Sequence, residues 1–226
     1  MLVNCYTCTM QNQSRFPHNP HHHEIKAVAF FGCANGEAGE RNFEDAREVA
    51  RAVAKTNRTV VNGGGPGVML AATQGAKEVG GKTAVVYYRP ELASNFKGEV
   101  AANFADQSYE ESNYIMRTKK LLELGDAYIV FNGGSGTISE FAMAWGVARL
   151  YIDHHKPLLL YGGFWHHLMN DFKEHMMIRP EEMKVYTICE TPDQVIDALK
   201  KYEDILRVSN HSPQKCKGPE CRLFLE

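Results

Sequence analysis

Short apolar runs alternate with longer amphipathic stretches from Ile25 to Leu206. Residues 26–31 (KAVAFF) read as a strand, and residues 42–55 set Phe43, Ala46, Val49, Ala50 and Val53 at helical spacing. Residues 58–62 (RTVVN) form a second strand, ended by Gly63-Gly64-Gly65-Pro66-Gly67. A helix over 68–78 is stopped by Gly80-Gly81. The pattern continues with a strand over 82–88 (KTAVVYY), a short strand over 104–107 and a helix over 110–124 stopped by Gly125. Next come a strand over 127–131, a helix from Gly136 to about Ile152 and a strand over 157–161. Helices over 164–176 and 193–206 close the pattern, the last opened by Thr191-Pro192. Strands apolar on both faces and separated by helices predict an α/β fold, a doubly wound, mainly parallel sheet with helices on both faces in a single domain. In such sheets ligands lie beyond the carboxyl ends of the strands.

The domain is expected over 25–206, with tails at 1–24 and 207–226. A chain of 226 residues, 44% hydrophobic, can bury a full core. Twenty-five basic residues against 27 acidic ones leave no field to gather nucleic acid or an anionic membrane, so a small ligand is the expected partner. No apolar run approaches the ~18 residues of a membrane span. The first twenty residues lack a signal-peptide centre, which points to the cytoplasm. Cys33 and Cys189 fall in strand-like runs and read as buried filler. Cys5, Cys8, Cys216 and Cys221, with His18, His21, His22 and His23, lie in the tails. A zinc clip is the alternative to mobile tails, but the second cysteine pair lacks close ligand spacing, so no metal and no cofactor are expected.

Two glycine clusters carry the candidate chemistry. Gly133-Gly134-Ser135-Gly136-Thr137 stands between a strand and a helix, where unpaired amides and a partial positive charge can hold phosphate. Gly64, Gly65 and Gly67 occupy the equivalent place after the second strand, so both clusters should face one crevice. The first cluster is not a P-loop, since no Gly-Lys-Ser/Thr follows. It also fails the dinucleotide fingerprint, with Val68 where the third glycine belongs and Tyr88-Arg89 where a ribose-binding acid belongs. NAD is thereby disfavoured; NADP keeps only Arg89. Glu140, one turn into the helix, has two readings: a capping box with Thr137, or a catalytic carboxylate. Among nearby cations, Arg117 and Lys120 share a helical face with Asn113, while Lys119 lies between Ile115 and Leu122 on an apolar stripe.

These residues resemble a known family. Gly63-Gly64-Gly65-Pro66-Gly67-Val68-Met69, then Met116-Arg117-Thr118-Lys119-Lys120, then 133–140 (GGSGTISE) are similar to the G-G-G-x-x-G-x-M, M-H-x-R-K and P-G-G-x-G-T-x-x-E motifs of the lonely-guy phosphoribohydrolases, long labelled lysine decarboxylases. The similarity spans roughly 25–206. It implies a Rossmann-like homodimer that cleaves nucleoside 5′-monophosphates, cytokinin nucleotides among them, to base and ribose 5-phosphate. Carried over by position, Glu140 is the catalytic carboxylate, and residues 133 to 137 hold phosphate. Lys119 and Lys120 stand where the family has Arg-Lys, and Arg117 stands where it has histidine. Met116 and the first glycine cluster complete the expected site. Asn132 replaces the family proline, and lysine cannot supply the bidentate fork of arginine. The rival reading is a non-catalytic carrier of a nucleotide or phosphorylated cofactor, as in molybdenum cofactor carriers of this fold. A DNA-processing protein of this fold is opposed by the near-neutral charge.

Overall fold

The structure is a computed structural model and describes residues 24–90, 103–150 and 155–208. The tail cysteines and histidines, and the expected helix end near Ile152, lie outside the described residues. Seven strands form one parallel sheet: β1 (Ala27–Phe31), β2 (Thr59–Asn62), β3 (Thr83–Tyr87), β4 (Gln107–Glu110), β5 (Ala127–Val130), β6 (Leu158–Tyr161) and β7 (Tyr186–Cys189). Their order is β4-β3-β2-β1-β5-β6-β7, and every pairing is parallel. The helices are α1 (Arg41–Lys55), α2 (Val68–Lys77), α3 (Tyr114–Leu124), α4 (Ser135–Leu150), α5 (Phe164–His175) and α6 (Pro192–Val208). A 3₁₀ turn, Pro180–Lys184, precedes β7.

Alternation along the strands divides the core. Val28, Phe30, Ala127, Ile129, Phe131 and Leu159 pack with α1, α2 and α6 on one face. Ala29, Phe31, Tyr128, Val130, Leu158 and Leu160 pack with α3, α4 and α5 on the other. This two-sided burial explains why the strands read as continuous apolar runs. Strand order reverses between β1 and β5, which makes the carboxyl ends of those two strands the topological switch point.

Three expectations are corrected. The fourth strand lies at 107–110 rather than 104–107. Its sequence, QSYE, is largely exposed at the sheet edge and carries no apolar signal, while Phe104 is 76% exposed. Helix α3 begins at Tyr114 rather than Glu110, because the Asn113 side chain accepts the Met116 N–H at 3.0 Å and caps it. Cys33 is not strand filler but sits half-buried in the loop beyond β1, whereas Cys189 is buried at the end of β7. At the other end of α3, the half-buried Lys156 ammonium donates to the carbonyls of Leu122 (2.9 Å), Glu123 (3.3 Å) and Gly125 (2.7 Å). That caps the helix against its dipole and fixes its position on the sheet.

Candidate active site

Three loops meet at the switch point, and the backbone of Cys33 joins them. Its N–H donates to Asn132 O at 3.1 Å, and its carbonyl accepts the Val68 N–H at 3.0 Å. The approach is so close that side chains are excluded. A Cβ on Gly67, which has φ +64°, would lie 2.3 Å from Cys33 O. A Cβ on Gly133 would lie 2.1 Å from Thr137 Oγ1 and 2.9 Å from Cys33 N. These two glycines therefore serve contact between loops, and the pocket opens beside them.

The pocket is a cavity of about 560 Å³. Gly134, Ser135, Gly136 and Thr137 form one wall at the start of α4, and the loop of Cys33, Ala34 and Asn35 forms another. The Ile138 N–H, bonded to Gly134 O, makes the first helical hydrogen bond. The amides of Ser135, Gly136 and Thr137 come before it and have no acceptor within the helix. With the helix dipole behind them, they form an anion-receptive end.

Glu140 and Arg117 make the deep wall. Arg117 Nη1 donates to Glu140 Oε1 at 3.1 Å, and the two side chains are only 6% and 8% exposed. The guanidinium also donates from Nε to Val86 O (3.0 Å) and from Nη2 to Gly63 O (3.2 Å). A Cβ on Gly63 would fall 1.6 Å from Nη2, so the first glycine cluster makes room for this arginine. Glu140 Oε2 has no protein donor among the described residues, and the residue lines the cavity. Burial raises the Glu140 carboxyl above the usual carboxylate range, with Arg117 pulling in the opposite direction. The carboxylate takes its hydrogen bond from Arg117, not from a helix-cap amide.

Tyr114 and Ser139 stand beside this pair. Their hydroxyl oxygens are 2.7 Å apart, and Tyr114 also donates to Gly136 O at 3.1 Å. Met69 lines the cavity as well, with Sδ 3.7 Å from Arg117 Nη2.

Of the residues expected at the site, the structure brings together Glu140, Arg117, Gly134, Ser135, Gly136 and Thr137. Gly64, Gly65 and Gly67 are buried in the loop behind them and do not line the cavity, and Gly133 packs on Thr137. Lys119 is 48% exposed and pairs with Glu123 at 2.9 Å. Lys120 lies over the Tyr109 ring, and Met116 is exposed. Lys119, expected on an apolar stripe with Ile115 and Leu122, points outward and Ile115 is exposed with it, whereas Arg117 points inward. Arg89 is engaged with Glu110 (2.9 Å) and the Tyr87 ring. Sequence reasoning missed Cys33, Ala34, Asn35, Tyr114 and Ser139. The first three follow the central strand at the switch point, which is the one signal that could have found them.

Fold and pocket define a doubly wound α/β protein with an anion-receptive cleft at its switch point. Comparison narrows the class. The family model described as "Possible lysine decarboxylase" matches residues 69–199, more than half of the chain. The chain belongs to this family, the one that includes the lonely-guy proteins. A "Probable cytokinin riboside 5'-monophosphate phosphoribohydrolase" of Oryza sativa subsp. japonica is 27% identical over 181 residues, covering 75% of this chain and 70% of the relative. An uncharacterized protein of Archaeoglobus fulgidus is 30% identical over 127 residues, 56% of this chain and 80% of its own. Among solved structures, the molybdenum cofactor carrier protein of Chlamydomonas reinhardtii superposes with a TM-score of 0.59 at 20% identity, covering 79% of this chain and 98% of that one. DNA processing protein A of Helicobacter pylori gives 0.54 at 19% identity, covering 79% and 81%. At these identities both share the fold.

Proposed function

We propose that the protein hydrolyses the N-glycosidic bond of a nucleoside 5′-monophosphate, releasing the free base and ribose 5-phosphate. The observation that carries this reading is a buried carboxylate, Glu140, facing the same cavity as the amide end of α4. The rise of 1.5 Å per residue puts Glu140 roughly 6 Å along the helix from Gly136. That spacing suits a phosphate on the amides and a ribose ring beside the carboxylate. Cleavage develops positive charge on the ribose, which the carboxylate stabilises. Water then attacks C1′ as the C1′–N bond breaks with its electron pair leaving on the base; Glu140 takes the proton lost by water, the departing base takes a proton from solvent, and Glu140 returns its own to solvent. Arg117 is the positioning residue: four contacts to Glu140, Val86, Gly63 and Met69 hold the guanidinium, and it holds Glu140. The phosphate is held by the amides of 135 to 137, with no cofactor or metal invoked. Lys119 and Lys120 have no part in this scheme.

The same reading includes a homodimer acting in the cytoplasm. Helix α4 supports the dimer: Ile138, Ala142, Met143, Gly146 and Leu150 form an exposed apolar stripe on the helix that carries Glu140. A helix apolar on both faces needs cover on both. The described helices include none long and apolar enough to cross a membrane.

The test is chromatographic assay of base released from a panel of nucleoside monophosphates, cytokinin riboside 5′-monophosphates included. Release from a monophosphate, absent for the matching nucleoside and lost in Glu140→Gln, supports the reading. Tight binding without turnover across the panel would sink it and favour a carrier, the reading to which the molybdenum cofactor carrier fold lends support.

A further inference from the structure

We infer that Tyr114 is a specificity residue that reads the ribose 2′-hydroxyl, making the pocket selective for ribonucleotides over 2′-deoxyribonucleotides. The inference rests on the nucleotide reading of the site. If phosphate occupies the amides of 135 to 137 and C1′ lies at Glu140, the sugar spans the stretch of α4 between them. The Tyr114 phenol stands along that stretch, bonded to Gly136 O at 3.1 Å and to Ser139 Oγ at 2.7 Å. Tyr114, Ser139 and Glu140 line the same cavity, so the phenol and the carboxylate border the space that the sugar would fill. The ribose hydroxyl on the carbon next to C1′ is the sugar group closest to both.

Chemistry and packing agree with this placement. Tyr114 lines the cavity together with Ser139, Arg117 and Glu140. Its ring is fixed on two sides, edge-on to Tyr88 at 6.1 Å and 6.0 Å from the Arg117 guanidinium carbon. Burial raises the phenol above its ordinary range, with Ser139 opposing, so it remains a proton-bearing donor at physiological pH. Ser139 Oγ can itself donate to Gly136 O, at 2.8 Å. That carbonyl keeps a donor when the phenol turns to a ligand hydroxyl. A site built around a hydroxyl rejects the analogue lacking it, because its own polar group is then left unpaired.

The alternative role for Tyr114 is a tether between α3 and α4. Calorimetric titration with ribose 5-phosphate and 2-deoxyribose 5-phosphate separates the two roles. The wild type should bind ribose 5-phosphate about fivefold to tenfold more tightly, the worth of one hydrogen bond. Tyr114→Phe should bring the ratio to within about twofold by weakening the ribose compound alone. A tether would weaken both compounds by the same factor, and that result overturns the inference. So does a wild type that binds both equally or neither. Selective binding lost in Tyr114→Phe, but with no base released from any monophosphate, sinks the hydrolase reading and leaves this one standing. Base release without ribose preference does the reverse.

Discussion

Replacing Arg117 with methionine tests whether the pocket depends on one buried charge pair. The substitution leaves Glu140 in place, 8% exposed, with the Arg117 donor gone, and strips a donor from Val86 O and Gly63 O. Breaking a buried pair by removing one partner costs about 3–5 kcal/mol. Each buried carbonyl left unsatisfied adds about 1 kcal/mol or more. A total of about 5–7 kcal/mol lowers the melting temperature of a chain this size by roughly 10–28 °C. Glu140→Gln should cost less, about 1–2 kcal/mol, because the amide oxygen still accepts from Arg117. The loss in Arg117→Met should also depend on pH. The Glu140 carboxyl is already raised by burial, and removing Arg117 removes the group that opposed the rise. Below the ordinary carboxyl range, folded and unfolded chains both hold the proton and no penalty appears. As pH climbs, the unfolded chain releases it first, and stability falls until the folded carboxyl ionises as well. Urea unfolding of wild type and Arg117→Met at pH 4.5 and pH 8 measures this, with the deficit larger at pH 8. An Arg117→Met protein within about 1 kcal/mol of wild type at pH 8 would refute the buried-pair reasoning.

The other expectations test the pocket's supports. Gly63→Ala forces the Arg117 guanidinium from its seat, since the new Cβ would fall 1.6 Å from Nη2, and should reproduce most of the Arg117→Met loss in urea unfolding. Lys119→Ala, which removes an exposed pair with Glu123, should change stability by less than about 0.5 kcal/mol and leave ligand titrations unmoved. A tenfold loss of nucleotide binding in that variant would restore Lys119 to the site. Lys156→Met removes the donor to two α3 carbonyls and to that of Gly125 just beyond, and should speed amide hydrogen exchange in the last turn of α3, measured by mass spectrometry, with α1 unchanged.

The strands and helices were largely legible from periodicity, because a parallel sheet covered on both faces needs uninterrupted apolar strands. Legibility failed at the edge. β4 is polar and exposed, and only its pairing with β3 makes it a strand. The start of α3 was read four residues early, and Lys119 was read on an apolar stripe with Ile115, which is 65% exposed. A cap by Asn113 carries too little pattern to compete with a run of helix-forming residues.

The sequence by itself determined the fold class, the two glycine clusters and the position of Glu140 behind the second one. Those properties are local: periodicity, turn chemistry and the spacing of a carboxylate from a helix start. Only the tertiary structure decided what the residues face. It turned Gly67 and Gly133 toward Cys33 instead of a ligand, cleared the space at Gly63 for a guanidinium and brought Arg117 across 23 positions to Glu140. It also drew Tyr114 and the Cys33 loop into a pocket that no motif had included. Such contacts depend on strand order and helix rotation, and a shift of one or two residues in a helix exchanges a buried cation for a solvated one.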